Sequence, residues 1–257
     1  MEYLNNVSYK DCIGKVCKSK SSGDFKILKY NDSRNVEIQF LKTGYEMVAQ
    51  LGHIKNGGVK DPYSPSVFGV GAVGTKYPPS EGGRNTKWYA LWCHMLERCY
   101  SDIYKKKRPT YEGCEVSENF KYYEYFYEWC QSQVGFGNLD WHLDKDLLVK
   151  GNKIYGESTC VLIPPEINNA LTKTNKLRGN YPVGVHFCNT RKSFIGQINR
   201  GCGQQEYLGK FKTAEEAFLA YKTAKEDYLK TLAEKWKGSI DARAYNALMN
   251  YEVEITD

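Results

Sequence analysis

From Trp141 to Leu171 the chain reads WHLDKDLLVKGNKIYGESTCVLIPPEINNAL. An acidic pair set among apolar residues, Asp144 and Asp146, opens the stretch. A Gly151-Asn152 turn follows, then Tyr155 and a short apolar strand, Cys160 to Ile163. Pro164 and Pro165 end that strand and suit the first turn of a short helix that carries Asn168 and Asn169. Strand, turn, strand and helix in this order make a compact ββα unit. Such a unit can bring Asp144 and Asn168 together as oxygen ligands of one hard divalent cation, Mg2+ or Mn2+. His142 lies two residues before Asp144, so on a strand it shares that face and can act as a base.

These residues resemble the ββα-metal core of HNH nucleases, in the variant carried by phage and mobile-element homing endonucleases. The likeness rests on Leu143-Asp144-Lys145, the turn, Tyr155, the apolar strand and Asn168 on the closing helix. It implies Asp144 and Asn168 as metal ligands, and a catalytic set of His142, Asp144, Lys145 and Asn168. Lys145 stands where the family has its general-base histidine, and Thr159 falls near its middle asparagine. Those two departures keep a second reading open, a catalytically inactive DNA-binding or regulatory protein on the same scaffold. In that case Asp144 pairs with Lys145 or Lys150, Asn152 serves the turn and Asn168 caps a helix.

Three strands are legible further on, Val183 to Cys188, Ser193 to Asn199 and Gln205 to Phe211, followed by a long helix from Thr213 to about Trp236. Thr213 with Glu216 three residues later predicts a capping box. Ala217, Phe218, Ala220, Tyr221, Ala224 and Tyr228 form the stripe that faces the sheet. Gly184-Val185, Phe194, Leu208-Gly209-x-Phe211 and the run Thr213 to Tyr221 resemble the apetala/ethylene-response-factor (ERF) DNA-binding domain. That resemblance implies a three-stranded sheet docked in the major groove of double-stranded DNA. It makes His186, Asn189, Arg191, Lys192, Gln197, Asn199, Arg200 and Lys210 the DNA-binding set. Arg191 or Arg200 would read guanine and Gln197 or Asn199 adenine, while Lys192 and Lys210 would hold phosphates. The family's usual arginine after Gly-Val is His186 here, so the docking mode carries over and the target sequence does not.

The rest of the chain fits around these two units. Residues 1–70 alternate in period two through segments at Gly14, Phe25, Val36 and Tyr45, divided by turn formers. This predicts a small open barrel or curled sheet as a barrel-like leader, either structural or in contact with DNA or a partner. Residues 71–84 read as a Gly- and Pro-rich linker or ordered arm, with Lys76, Arg84 and Lys87 near it. Trp88 to Tyr100 has helical apolar spacing. Lys105, Lys106, Lys107 and Arg108 form a basic loop that suits phosphate contact. Asn119 is placed to cap the next helix. Lys173 to Gly179 reads as a basic linker, and residues 238–257 as a helix and a frayed acidic tail ending in Glu252, Glu254 and Asp257.

The class expected is therefore α+β and multi-domain. A β-rich leader (1–70) and linker (71–84) precede an HNH-like ββα-metal domain (85–175), an ERF-like domain (180–237) and a tail (238–257). A net charge of +6 suits nucleic acid without demanding it. No apolar run reaches the roughly 20 residues of a membrane span. Nine cysteines, an odd number, with no secretory h-region at the start, suggest free thiols in a cytoplasm, that of the host cell if the chain is phage-encoded. No Cys-x-x-Cys pair occurs, and Cys93, His94 and Cys99 match no common zinc knuckle, so no zinc is expected. One core per chain predicts nicking by a monomer, or double-strand cleavage by a dimer.

Overall fold

The structure is a computed structural model that describes residues 12–172, 181–201, 203 and 205–255. It is mixed α+β and divides into two compact units, Met1–Trp129 and Cys130–Asp257. The basic linker expected at 173–179 and the terminal Asp257 lie outside the described residues. No helix among the described residues is long and apolar enough to cross a membrane.

In the first unit, β1 (Val16–Ser19), β2 (Gly23–Asp32), β3 (Asn35–Phe40) and β4 (Glu46–Ala49) form an antiparallel sheet in the order β1-β2-β3-β4. Alternation puts Phe25 and Ile27 of β2 on one face with Val36, Ile38 and Phe40 of β3, and all five are buried. Each side chain of this size contributes roughly 1.5–3 kcal/mol by leaving water. Helix α1 (Leu51–Lys55) adds Leu51 and Ile54 to the same core. The sheet runs from β1 to β4, and those two strands do not pair among the described residues, so the described leader is an open antiparallel meander.

The arm that follows is ordered. β5 (Ser80–Glu81) and β6 (Arg84–Asn85) make a small hairpin, and upstream the Glu124 carboxylate accepts the backbone N–H groups of Thr75 and Lys76. Helix α2 (Lys87–Tyr100) starts at Thr86, whose hydroxyl accepts the Tyr89 N–H, and buries Trp88, Trp92, Met95, Leu96 and Cys99. The basic run is helical rather than a loop: α3 (Asp102–Lys107) is capped by Ser101, and Arg108 and Pro109 end it. Three lysines in its last turn complement the negative end of the helix. After β7 (Glu115–Val116) a 3-10 turn takes up Asn119. That turn directly precedes the next helix, and the Ser117 hydroxyl accepts the Phe120 N–H at its start. Helix α4 (Tyr123–Ser132) then carries the chain into the second unit.

The second unit holds β8 (His142–Asp144), β9 (Ile154–Tyr155), β10 (Val161–Ile163), α5 (Pro165–Leu171), β11 (Val185–Cys188), β12 (Ser193–Asn199), β13 (Gln205–Phe211), α6 (Ala214–Lys235) and α7 (Ala242–Met249). β11, β12 and β13 form an antiparallel sheet in that order, and α6 lies across it. Gly184, at φ +76°, lets the chain pass close to the helix, since a Cβ there would stand 2.1 Å from the Tyr221 ring. The capping box forms as Thr213 and Glu216 predict. Buried Leu229, Leu232 and Ala233 extend the apolar stripe of α6 beyond the sheet, toward α7. The tail is not frayed over its described length. Val253 is buried, its N–H donates to Glu226, and its carbonyl accepts the Lys222 ammonium.

Candidate metal site and nucleic-acid interface

β8 and β10 pair antiparallel, with Val161 opposite Asp144 and Ile163 opposite His142, and α5 packs back on β8. The helix that carries Asn168 thus lies on the strand that carries His142 and Asp144. The loop between the strands is held from inside by its own side chains. The Asn152 amide donates to the carbonyls of Lys145 (2.9 Å) and Ile154 (2.6 Å), while its oxygen accepts the Ile154 N–H (3.1 Å). The Thr159 hydroxyl donates to the Ile154 carbonyl (2.7 Å) and accepts the Gly156 N–H (3.1 Å). Asn152 and Thr159 thus both tie the loop to the Ile154 backbone.

Lys145 is 6% exposed. Its ammonium donates to Asp146 Oδ1 and to the Asn152 carbonyl, both at 2.6 Å, and lies 5.7 Å from the centre of the Tyr155 ring. A donor spent on two acceptors inside a loop organises that loop and is poorly placed to take a proton. His142 is exposed and, by strand alternation, lies on the Asp144 side.

Asp144 Oδ1 accepts the N–H groups of Asp146 (2.9 Å) and Leu147 (2.7 Å), which fixes the carboxylate at the strand end. Burial pushes its pKa up, the Asp146 charge adds to that, and the two backbone bonds and Lys145 oppose it. Asp144 is thus an acid whose charge is only partly compensated. Among the described residues Oδ2 takes no hydrogen bond, and neither does the Asn168 carboxamide, which is half-buried on α5. No cluster of three or more His, Cys, Asp or Glu able to hold a metal occurs among the described residues. Asp144 Oδ2 and the Asn168 carboxamide oxygen are donors of the kind that Mg2+ or Mn2+ takes alongside several waters.

The sheet presents a second surface. A Cβ on Gly196 would meet the Ala217 carbonyl of α6 at 3.1 Å, so Gly196 faces the helix and its neighbours Ile195 and Gln197 face away. Register then assigns the outer face. His186 and Lys210 flank Ile195, Gln197 lies opposite Tyr207, and Asn199 lies opposite Gln205. His186, Asn199, Gln205, Tyr207 and Lys210 are exposed, whereas Ile195 is buried. Asn189, Arg191 and Lys192 occupy the β11–β12 turn, where Lys192 takes φ +48°.

Arg200 leaves this face. Its guanidinium pairs with Glu206 and lies 5.8 Å from the Tyr228 ring, on the helix side. Tyr207 is an outer-face residue that plain alternation from Lys210 misplaces, because the two are three positions apart. The register shift after Gly196 moves Tyr207 to the outer side, and Gly209, at φ +146°, supplies the backbone freedom beside it. A glycine inside the third strand, two residues after Tyr207, is the available sequence signal.

Comparison with protein-family models, with curated proteins and with solved structures finds no match. The site is therefore read from its own geometry. In the first unit, Lys106, Lys107 and Arg108 are exposed and Lys105 is half-buried. None of the four has a carboxylate partner among the described residues. The eight described cysteines are free thiols.

Proposed function

We propose that this chain is a DNA-binding, HNH-like homing-type endonuclease. Its sheet docks on duplex DNA, and its ββα unit hydrolyses a phosphodiester beside the docked segment. The observation that supports cutting is the pair of oxygen donors, Asp144 Oδ2 and the Asn168 carboxamide. Neither is spent on a described residue, and each lies on an element packed against the other. Asp144 and Asn168 would hold the cation. When bound, Mg2+ or Mn2+ supplies Lewis-acid stabilisation of charge on the scissile phosphate and the leaving 3′ oxygen. His142 takes the proton of the attacking water, and Asn152 keeps the loop in register behind Asp144.

Docking is supported by the outer face of the sheet. Gln197 and Asn199 offer amides for adenine, while Lys210 and the turn residues Arg191 and Lys192 meet phosphate or guanine. Lys105 to Arg108 add phosphate contacts. The layout proposed is a β-rich leader, an HNH-like region and an ERF-like region in one chain.

A second reading is favoured by Lys145. An HNH-like scaffold whose base position is occupied by a loop-holding lysine suits a DNA-binding regulator that does not cut. Nicking of supercoiled plasmids carrying source-genome fragments separates the two. With Mg2+ or Mn2+, wild type is expected to nick and Asp144→Ala to lose nicking while retarding DNA equally in a gel. Equal retardation without nicking by either protein selects the regulator, and no retardation by either sinks the docking assignment.

A further inference from the structure

A cavity of about 560 Å3 opens within the second unit, between the end of α5, the end of β12 with Gly201 and Gly203, and the middle of α6. Lys225 of α6 lies on its wall and donates to the Ala170 carbonyl at 2.6 Å, at the last turn of α5. That bond uses one of three ammonium protons, and its acceptor is neutral. Among the described residues no carboxylate pairs with Lys225. The other charges on the wall are committed. Glu166 holds Lys235 (2.6 Å) and the Trp236 indole N–H (3.0 Å), and Arg200 holds Glu206. On its own helix, Glu226 is taken by Lys222 and the Val253 N–H. The cavity therefore keeps one positive charge without a counter-charge. Tyr221, Tyr228 and Tyr251 supply flat aromatic walls, with the Lys225 ammonium 5.8 Å from the Tyr228 ring centre.

We infer that this cavity binds a nucleotide-sized ligand, a phosphate ester carrying a flat ring, with the phosphate on Lys225 and the ring against the tyrosines. A volume of about 560 Å3 falls within the range of small-ligand sites, and a few polar groups converging on aromatic walls are their usual composition. The phosphate restores the missing counter-charge, and the ring replaces water on the aromatic walls. Burial also lowers the pKa of Lys225 to about 8, so a sizeable fraction of the amine is neutral near physiological pH. The ligand has two sources, a free mononucleotide or a nucleotide of a bound strand turned out of its stack. The site stands apart from any cutting at Asp144.

Pyridoxal 5′-phosphate is a phosphate monoester on a flat ring and carries an aldehyde that reports on Lys225. The neutral amine adds to the carbonyl carbon, water leaves, and an imine forms. Borohydride then delivers hydride to the imine carbon and solvent a proton to nitrogen, which fixes the label. Full-length protein is labelled, reduced and mapped by peptide mass spectrometry. The expected result is dominant labelling of Lys225, blocked at least tenfold better by 5′-mononucleotides than by equal inorganic phosphate. Lys225→Arg, which keeps the charge, should still bind a fluorescent mononucleotide, and Lys225→Met should not, both folding with wild-type circular dichroism. Protection by a single-stranded oligonucleotide but not by mononucleotides assigns the same site to a turned-out strand nucleotide. Labelling scattered over surface lysines, or labelling of Lys225 that neither competitor blocks, overturns the inference.

Discussion

Lys225 shows how one side chain can carry a cost that its helix does not need. Its amine is depressed from the ordinary 10.5 to about 8 by desolvation, so the folded chain holds this proton less tightly than the unfolded chain does. The sign follows from linkage. Below pH 8 the buried charge is present and its penalty is complete. Between about 8 and 10.5 the unfolded state binds more proton, so stability rises with pH. Above 10.5 the penalty has gone. Lys225→Met is expected to stabilise the protein by on the order of 2–3 kcal/mol at pH 7, with the gain shrinking toward zero by pH 10.5. Denaturant melts of both proteins at the two pH values check this, and a gain independent of pH would refute the desolvation account. At the same scale, Asp144 and Lys145 are sequence neighbours with opposite fates. One keeps an oxygen unspent and the other is spent inside the loop. Nothing in the dipeptide distinguishes them until the strand ends at Asp144 and the loop folds Lys145 inward onto Asp146 and the Asn152 carbonyl.

Among the elements, the loop between β8 and β10 depends on Asn152 more than on either acidic residue. Its amide joins the Lys145 and Ile154 carbonyls across the turn, and removing it leaves those acceptors and the Ile154 N–H without that partner. Asn152→Ala is expected to cost about 1–3 kcal/mol. Under the nuclease reading it also lowers nicking while leaving gel-shift affinity within twofold. A thermal melt and the plasmid assay measure the two effects separately. The sequence located this hairpin and its helix because a Gly-Asn turn and a double proline punctuate them. It also located α6 to within a residue, since Thr213 and Glu216 announce the cap. It misjudged α3, where a lysine-rich run reads as solvated loop unless Ser101 is recognised as an N-cap. It also gave no sign of the 3-10 turn that takes up Asn119 ahead of α4.

For the whole molecule, a charge of +6 is modest, so where the positive residues lie matters more than their number. Lys105 to Lys107 lie on a short helix that Arg108 ends, without carboxylate partners among the described residues; Lys210 lies on the sheet of the second unit and Lys192 in its β11–β12 turn. If the run contacts phosphates, each contact removed flattens the plot of log affinity against log salt by about 0.9. Replacing all four by alanine should reduce that slope by about 3–4 and weaken specific and non-specific DNA alike. Fluorescence-anisotropy titrations from 50 to 200 mM salt decide it, and an unchanged slope would remove the run from the interface.

Periodicity, turn residues and caps determine which segments become strands and helices, because those signals act over three or four neighbours. They suffice for the leader strands, α2, the ββα order and the sheet with α6. Which side chains share a face or a cavity depends on register and packing, which no local signal specifies. The shift after Gly196 brings Tyr207 to the outer face, the Glu206 carboxylate draws Arg200 away from it, and the buried Val253 docks a tail that reads as frayed. The Lys225 cavity is the extreme case. Its walls come from α5, the end of β12 with Gly201 and Gly203, α6 and the terminal segment, so it exists only once long-range contacts have closed around an amine that the sequence presents as one more lysine on a helix.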